Sequence, residues 1–249
     1  MSPSSGSDTA TTDPHGTSLW RWLIADERHG PLPALLLALT VLTGVVDAVS
    51  ILALGRVFVA NMTGNIVFVG FAIGGAPGFS LSASLSALGG FLLGAFAGGR
   101  AIVASDRTRG VLLRDAVACE AGLLVAALIL GIATGTPFSE AVRDVLAALL
   151  ATAMGLQNTV ARKLAVPDLT TTVLTMTLTG IAADPQMSAR NPVVVRRLLA
   201  VAGMLIGAIV GALLVVGLSA VAALALAAGL VGAVSAAASL VARRSGVWQ

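Results

Sequence analysis

The sequence predicts an all-α protein, a polytopic bundle of membrane-spanning helices, and three observations support this prediction. Hydrophobic residues make up 57% of the 249-residue chain and charged residues only 11%, whereas soluble domains carry roughly 25% charged residues. Mean hydropathy is +0.95. The apolar residues fall into runs of about the length that a hydrocarbon core ~30 Å thick requires of a helix.

The chain divides into a polar N-terminal region and one membrane domain. Residues 1–30 are rich in Ser and Thr and predict a disordered tail, followed by an interfacial anchor around Trp20 and Trp22. Residues 31–249 predict a single transmembrane domain. Its six predicted spans are Pro31–Leu54, Leu85–Val103, Ala116–Thr134, Val145–Val160, Leu198–Gly217 and Val221–Val241.

Two further apolar segments, 57–74 and 169–183, are unusually polar at their centres. If all eight segments crossed the membrane, the basic loop at 100–114 and the C-terminal Arg243-Arg244 would lie on opposite faces. If both polar segments enter and return, the main basic loops and both termini share the cytoplasmic face, as the positive-inside rule requires. We therefore expect two re-entrant or broken polar helices.

An internal repeat is a further expectation, with halves at about 31–135 and 140–242. The first half contains Gly44-x-x-Asp47 and the second Gly155-x-x-Asn158, and each is followed by a polar segment and a glycine triplet. The re-entrant topology gives the two halves opposite orientations, which is an inverted repeat. The triplets predict flat faces for helix packing, and a homo-oligomer through these faces is also expected. They comprise Gly90, Gly94, Gly98, Gly203, Gly207 and Gly211.

Polar side chains within the apolar segments are the candidates for a substrate-binding or translocation site. A charged group near the bilayer centre costs ~2.5–3.5 kcal/mol on insertion scales, so it generally faces protein or a watered cavity. The candidates are Asp47, Asn61, Thr63, Gly64, Asn65, Gln157, Asn158, Thr175 and Thr177, with Thr43 and Glu120 as secondary candidates.

Each candidate also has a purely structural interpretation. Asp47 can be a proton or cation site, a counter-ion for an arginine, or a neutral acid hydrogen-bonded by nearby threonines. The 61–65 segment can be a turn that satisfies its own backbone, and Gln157-Asn158 can simply bridge helices. The threonines at 175 and 177 can bond back to their own helix. Glu120 lies near the start of its predicted span, which favours an interfacial or arginine-paired acid.

Composition excludes several classes of function. The single cysteine, Cys119, rules out an internal disulfide and a multi-cysteine metal site, and its apolar surroundings predict a buried structural thiol. We expect no metal and no cofactor. No acid pair or nucleophile–base set stands at a catalytic spacing, so we do not expect an enzyme. The arginines lie in loops rather than on one face, so no nucleic-acid partner is expected.

Three stretches resemble the YoaK family, a domain-of-unknown-function family of bacterial inner-membrane proteins. They are Gly44-Val45-Val46-Asp47-Ala48, then Phe58 to Asn65 with its Met-Thr-Gly-Asn run, and Gly155-Leu156-Gln157-Asn158. The resemblance covers about residues 35–240 and implies small-molecule metabolite transport. Thr175-Met176-Thr177 departs from the pattern, because a second glycine-containing turn is expected there.

The sequence therefore favours membrane transport of a small polar solute, with proton coupling through Asp47 as one version. A passive channel with a half-helix pore, or a structural membrane protein without transport activity, are the alternatives. The expected partners are the lipid bilayer and an unidentified small-molecule solute. The expected location is the bacterial inner membrane, with multiple passes and both termini cytoplasmic.

Overall fold

A computed structural model describes residues 31–103, 109–164, 179 and 192–244. Within these ranges the protein is all-helical. Its helices are α1 (Leu32–Ala53), α2 (Met62–Ile73), α3 (Leu81–Val103), α4 (Arg109–Thr134), α5 (Glu140–Leu164), α6 (Pro192–Gly217) and α7 (Ala220–Arg244). All except α2 are long and apolar enough to cross a membrane. The predicted all-α bundle of about six spans is confirmed.

Helix α1 lies at the centre of the bundle. Pro31 and Pro33 open it, where a missing backbone N–H does no harm, and an unbroken apolar run follows. Buried residues occupy every side of its second half, from Leu39 to Ser50 with one gap, which is the pattern of a helix surrounded by protein. The helix stops at Gly55 and Arg56, whose φ angles of 93° and 58° are left-handed.

The helix ends divide into two sets, which we call the Leu32 end and the Ala53 end. Ala53, Phe138, Val215 and Ala220 line one shared cavity, so α1, α4 and α6 finish where α5 and α7 begin. The other ends of these helices, including the last turn of α5 and the first turn of α6, lie at the Leu32 end. Helix α1 therefore runs from the Leu32 end to the Ala53 end, and α5 runs in the opposite direction.

The segment from Gly55 to Ser80 leaves the Ala53 end and returns to it. The position of a Cβ on Gly55 would be 3.5 Å from the Ser80 Cβ, and the Arg56 guanidinium lies 6.0 Å from the centre of the Phe79 ring. Helix α2 has only 12 residues, or about 18 Å, which is too short for a ~30 Å hydrocarbon core. This geometry is that of a re-entrant hairpin.

Three glycines of α3 allow it to lie directly on α5. A Cβ on Gly90 or Gly94 would overlap backbone carbonyl oxygens of α5, and the residue numbers rise together, so the helices are parallel. Close backbone approach at small residues is how membrane helices associate. The contacts join Gly90 to Ala148, Gly94 to Thr152, and Gly98 to Leu156 and Thr159.

Helix α6 packs on α1 in the same manner. A Cβ on Gly207 would overlap the Val41 carbonyl oxygen, and one on Gly44 would overlap the Met204 carbonyl oxygen. These helices are also parallel. The α6 contacts join Gly203 to Leu37 and Val41, Gly207 to Val41, and Gly211 to Val45 and Ala48.

Both glycine triplets therefore have partners within a single chain. The glycine faces, which the sequence offered for a homo-oligomer, are covered by α5 and α1 of the same chain. The exposed large side chains lie elsewhere on the bundle, on the outer faces of α2, α3, α4 and α6, where lipid covers apolar surface.

Candidate functional site

Polar side chains of α1 form a buried stripe through the centre of the bundle. Thr40, Thr43, Asp47 and Ser50 are all buried. The Thr40 and Thr43 hydroxyls donate to the carbonyl oxygens four residues earlier, each at 2.9 Å. This bonding satisfies the hydroxyl protons locally and leaves oxygen lone pairs available to other groups.

One of those lone pairs joins the two halves of the chain. The Gln157 side-chain amide of α5 donates a hydrogen bond of 3.1 Å to the Thr43 hydroxyl of α1, and both residues are buried. The second polar atom of Gln157, Oε1, has no hydrogen-bond partner among the described residues. Thr43, predicted only as a secondary candidate, is thus the residue that links α1 to α5.

Asp47 lies one turn further along α1, on the face of Thr43. Its Oδ1 accepts a hydrogen bond of 3.4 Å from the backbone N–H of Val59, in the non-helical stretch before α2. Its Oδ2 is buried and accepts no well-formed hydrogen bond within the described part of the chain, although the Ala60 backbone N–H also faces the carboxyl group. Asp47 therefore connects the central helix to the re-entrant hairpin with one oxygen and keeps the other available.

The predicted polar knot at 61–65 divides into an inner and an outer part. Asn65 is buried, and its side chain accepts from the Phe58 N–H at 2.8 Å and donates to the Phe58 carbonyl. Gly64 packs against the Phe58 ring. Asn61 and Thr63 are exposed and face away from the interior. Asn65 acts as the structural clasp of the hairpin, as the alternative interpretation of the knot anticipates.

The remaining predicted residues are distributed as follows. Asn158 follows Gln157 on α5 and is half-buried. Thr175 and Thr177 lie outside the described residues. The structure thus brings together Thr43, Asp47 and Gln157, with Asn65 attached through the 58–59 backbone.

Comparison with known proteins identifies the family of the chain. The family described as "Protein of unknown function (DUF1275)" matches residues 35–237. The chain belongs to this family. It is 39% identical over 152 residues to the UPF0700 transmembrane protein YoaK of Bacillus subtilis (strain 168), a match that covers 60% of this chain. The resemblance to the YoaK family is confirmed.

The match covers 65% of the B. subtilis relative, so it spans less than two thirds of that protein. No solved structure matches the chain. Together with the six apolar helices, the transmembrane relative identifies this DUF1275 protein as a multi-pass membrane protein.

One sequence expectation for α4 of this DUF1275 protein, the burial of Cys119, is wrong. Helix α4 begins at Arg109, and Glu120, which lies five residues after Asp115, is fully buried within the protein. Neither of its carboxyl oxygens has a hydrogen-bond partner among the described residues. Cys119, expected to be buried, is exposed on the outer face.

A cavity of about 390 Å³ at the Ala53 end was not anticipated from the sequence. Leu52, Thr136, Phe138, Arg143, Val215 and Ser219 are among its lining residues, and none of the predicted site residues lines it. The lining residues come from three separate parts of the chain. The sequence feature that could have indicated a site here is Arg143, near the start of α5. Across the described residues, no group of three His, Cys, Asp or Glu side chains is placed to hold a metal ion.

Proposed function

We propose that this protein carries a small polar solute across the membrane, and that the solute binds at the buried polar cluster of Thr43, Asp47 and Gln157. The observation that carries the proposal is the Gln157–Thr43 hydrogen bond, which joins the two halves beside a buried acid. Asp47 Oδ2 and Gln157 Oε1 are buried acceptors without a well-formed hydrogen bond in the described ranges. Such acceptors are rare unless a donor meets them, and a solute with hydroxyl or amino groups supplies donors.

The contact pattern supports an internal repeat in which α1 corresponds to α5 and α3 to α6. Gly94 of α3 meets Thr152 of α5, and Gly207 of α6 meets Val41 of α1. When Gly44 is set against Gly155, Val41 and Thr152 are matched positions. The parallel pair α1–α6 is therefore the counterpart of the parallel pair α5–α3.

The direction of the helices supports inversion of this repeat. Helices α1 and α5 run in opposite directions and meet at Thr43 and Gln157. Inverted repeats with a site at their junction are a recurrent architecture of secondary transporters. Alternating access then follows if one parallel helix pair rocks against the other about this junction.

The distribution of charged residues supports the proposal that the protein lies in the bacterial inner membrane with both termini in the cytoplasm. The described charged residues at the Leu32 end are mainly basic, which favours that end as cytoplasmic. They are Arg100, Arg109, Arg114, Asp115, Arg162, Lys163, Arg196 and Arg197. The Ala53 end mixes Arg56 and Arg143 with Glu140 and Asp144. The proposal is for a carrier rather than an enzyme, without a cofactor.

The test is flux in proteoliposomes that contain the wild-type protein or Asp47→Asn. Asparagine keeps the oxygen that accepts from Val59 but cannot ionise. Uptake of a radiolabelled panel of amino acids, sugars and organic acids is compared with protein-free vesicles at several pH values. We expect wild-type flux that varies with pH and Asp47→Asn flux that does not.

Two results would contradict the proposal. If no solute of the panel crosses faster than in empty vesicles, the protein is not a carrier for these classes. If wild type and Asp47→Asn show the same pH profile, Asp47 takes no part in coupling. Asp115→Asn, which removes an acid that pairs with Arg114 at the Leu32 end, serves as the control for loss of charge alone.

A further inference from the structure

The cavity at the Ala53 end is separate from the Thr43–Asp47–Gln157 cluster and has the form of a ligand site. Its volume of about 390 Å³ lies within the range of ~300–1,000 Å³ typical of small-molecule pockets. Leu52, Phe138 and Val215 provide apolar walls, and Thr136 and Ser219 provide hydroxyl groups. The end of α1 and the connections α4–α5 and α6–α7 meet here.

Arg143 gives this cavity its charge. It lies in the first turn of α5 and lines the cavity, and its Nε is buried without a hydrogen-bond partner among the described residues. No ion pair of Arg143 is found within the described ranges. A guanidinium that lacks an acidic partner is the group best suited to bind a carboxylate, because its donors form a planar fork.

The helix ends around the cavity carry partial charges of both signs. Ser219 and Ala220 lie at the start of α7 and Phe138 lies two residues before α5, whereas Ala53 and Val215 lie at the C-terminal ends of α1 and α6. Helix N-termini carry partial positive and C-termini partial negative charge, so the full positive charge at the cavity comes from Arg143. The two acids nearest to Arg143 in sequence, Glu140 and Asp144, do not line the cavity.

We propose that this cavity binds small organic anions that present a carboxylate to Arg143 and an apolar body to Leu52, Phe138 and Val215. An ammonium ligand is disfavoured by the same guanidinium. The binding site stands independently of transport, because it shares no residue with the buried cluster.

The test is calorimetric titration of the full-length protein in lipid nanodiscs with benzoate, benzamide and benzylamine. These probes share one apolar ring and differ in charge, so a difference in affinity reports the effect of charge. Titration of empty nanodiscs corrects for partitioning of each probe into lipid. We expect benzoate to bind about tenfold or more tightly than either of the other two, because only its carboxylate accepts charge-assisted bonds from Arg143.

Variants of the protein test whether the preference for benzoate arises in this cavity. Arg143→Gln should weaken benzoate binding about tenfold or more, while Arg56→Gln should change it less than about twofold. Arg56 is the matched control, since it is exposed at the same end, carries the same charge and does not line the cavity. Val215→Phe keeps every charge and fills the cavity, so it should also weaken benzoate binding, and it serves as the test if Arg143→Gln fails to fold.

The proposal is overturned if benzoate and benzamide bind equally or if benzoate shows no binding at about 10 mM. It is also overturned if Arg143→Gln and Arg56→Gln weaken benzoate binding by the same factor. Equilibrium binding requires no flux, so these outcomes are distinguishable from failure of the carrier proposal.

Discussion

Replacement of Gly94 by alanine tests the packing that holds α3 on α5. A Cβ at this position would overlap the Thr152 carbonyl oxygen and lie 3.0 Å from the Leu156 backbone nitrogen. Both obstacles are backbone atoms of the neighbouring helix, so no side chain can rotate away. The two helices must separate to admit the methyl group.

The expected loss of stability is estimated by comparison with Gly89→Ala, a matched control on the same helix. Gly89→Ala gains the helix propensity of alanine, roughly 0.8–1 kcal/mol, and its Cβ meets nothing within 4 Å. Gly94→Ala gains the same propensity but adds an overpacking cost of about 1–3 kcal/mol. The propensity term cancels in the comparison, so Gly94→Ala should be about 1–3 kcal/mol less stable than Gly89→Ala.

The assay is reversible unfolding in mixed micelles, monitored by circular dichroism, with the free energy of unfolding obtained for each variant. Gly207→Ala, which meets the Val41 carbonyl oxygen on α1, should be destabilised by a similar amount if the two helix pairs are equivalent. Equal stability of Gly94→Ala and Gly89→Ala would refute the close contact between α3 and α5.

Two further predictions use the same unfolding measurement. A double-mutant cycle of Thr43→Val and Gln157→Leu should give a coupling energy of about 0.6 kcal/mol and not above about 1.7 kcal/mol, the range for hydrogen bonds between membrane helices; a coupling of zero would exclude the bond. Asn65→Ala should destabilise the protein by about 1–3 kcal/mol, because the Phe58 N–H and carbonyl lose their partner. Thr63→Ala, at an exposed position, should change stability by less than about 0.5 kcal/mol, and equal effects of the two would contradict the clasp.

The number and order of the membrane helices follow from the sequence, because hydropathy reports length and apolar content directly. Where the helices begin does not follow as well. Helix α4 starts at Arg109 instead of Ala116, and α5 at Glu140 instead of Val145. The polar first turns belong to the helix but lie outside the apolar run from which the span was predicted.

Hydropathy also fails to separate lipid-facing from protein-facing side chains. Cys119 lies in an apolar run and is exposed, whereas Glu120 beside it is fully buried. Lipid is as apolar as a protein core, so an apolar neighbourhood does not indicate burial in protein. The cavity at Arg143 was missed for a different reason, because residues from three separate parts of the chain line it.

The candidate site was predictable only in part. Asp47 and Gln157 were identified because polar groups in apolar helices are costly, and both lie in the buried cluster. The sequence could not rank Thr43 above Asn61 and Thr63, since that distinction depends on which face of each helix turns inward. Periodicity places residues on a common face, but it does not show which neighbour that face meets.

Chemical labelling of a cysteine at Thr43 tests whether the buried cluster opens alternately to the two sides of the membrane. The variant Thr43→Cys is made in a Cys119→Ser background, and a membrane-impermeant thiol reagent is applied to either side of oriented proteoliposomes. Leu42→Cys, equally buried and adjacent, is the control. We expect Thr43→Cys to react from both sides while Leu42→Cys reacts from neither. A cysteine at 43 that reacts from one side only, or from neither, would contradict alternating access at this cluster.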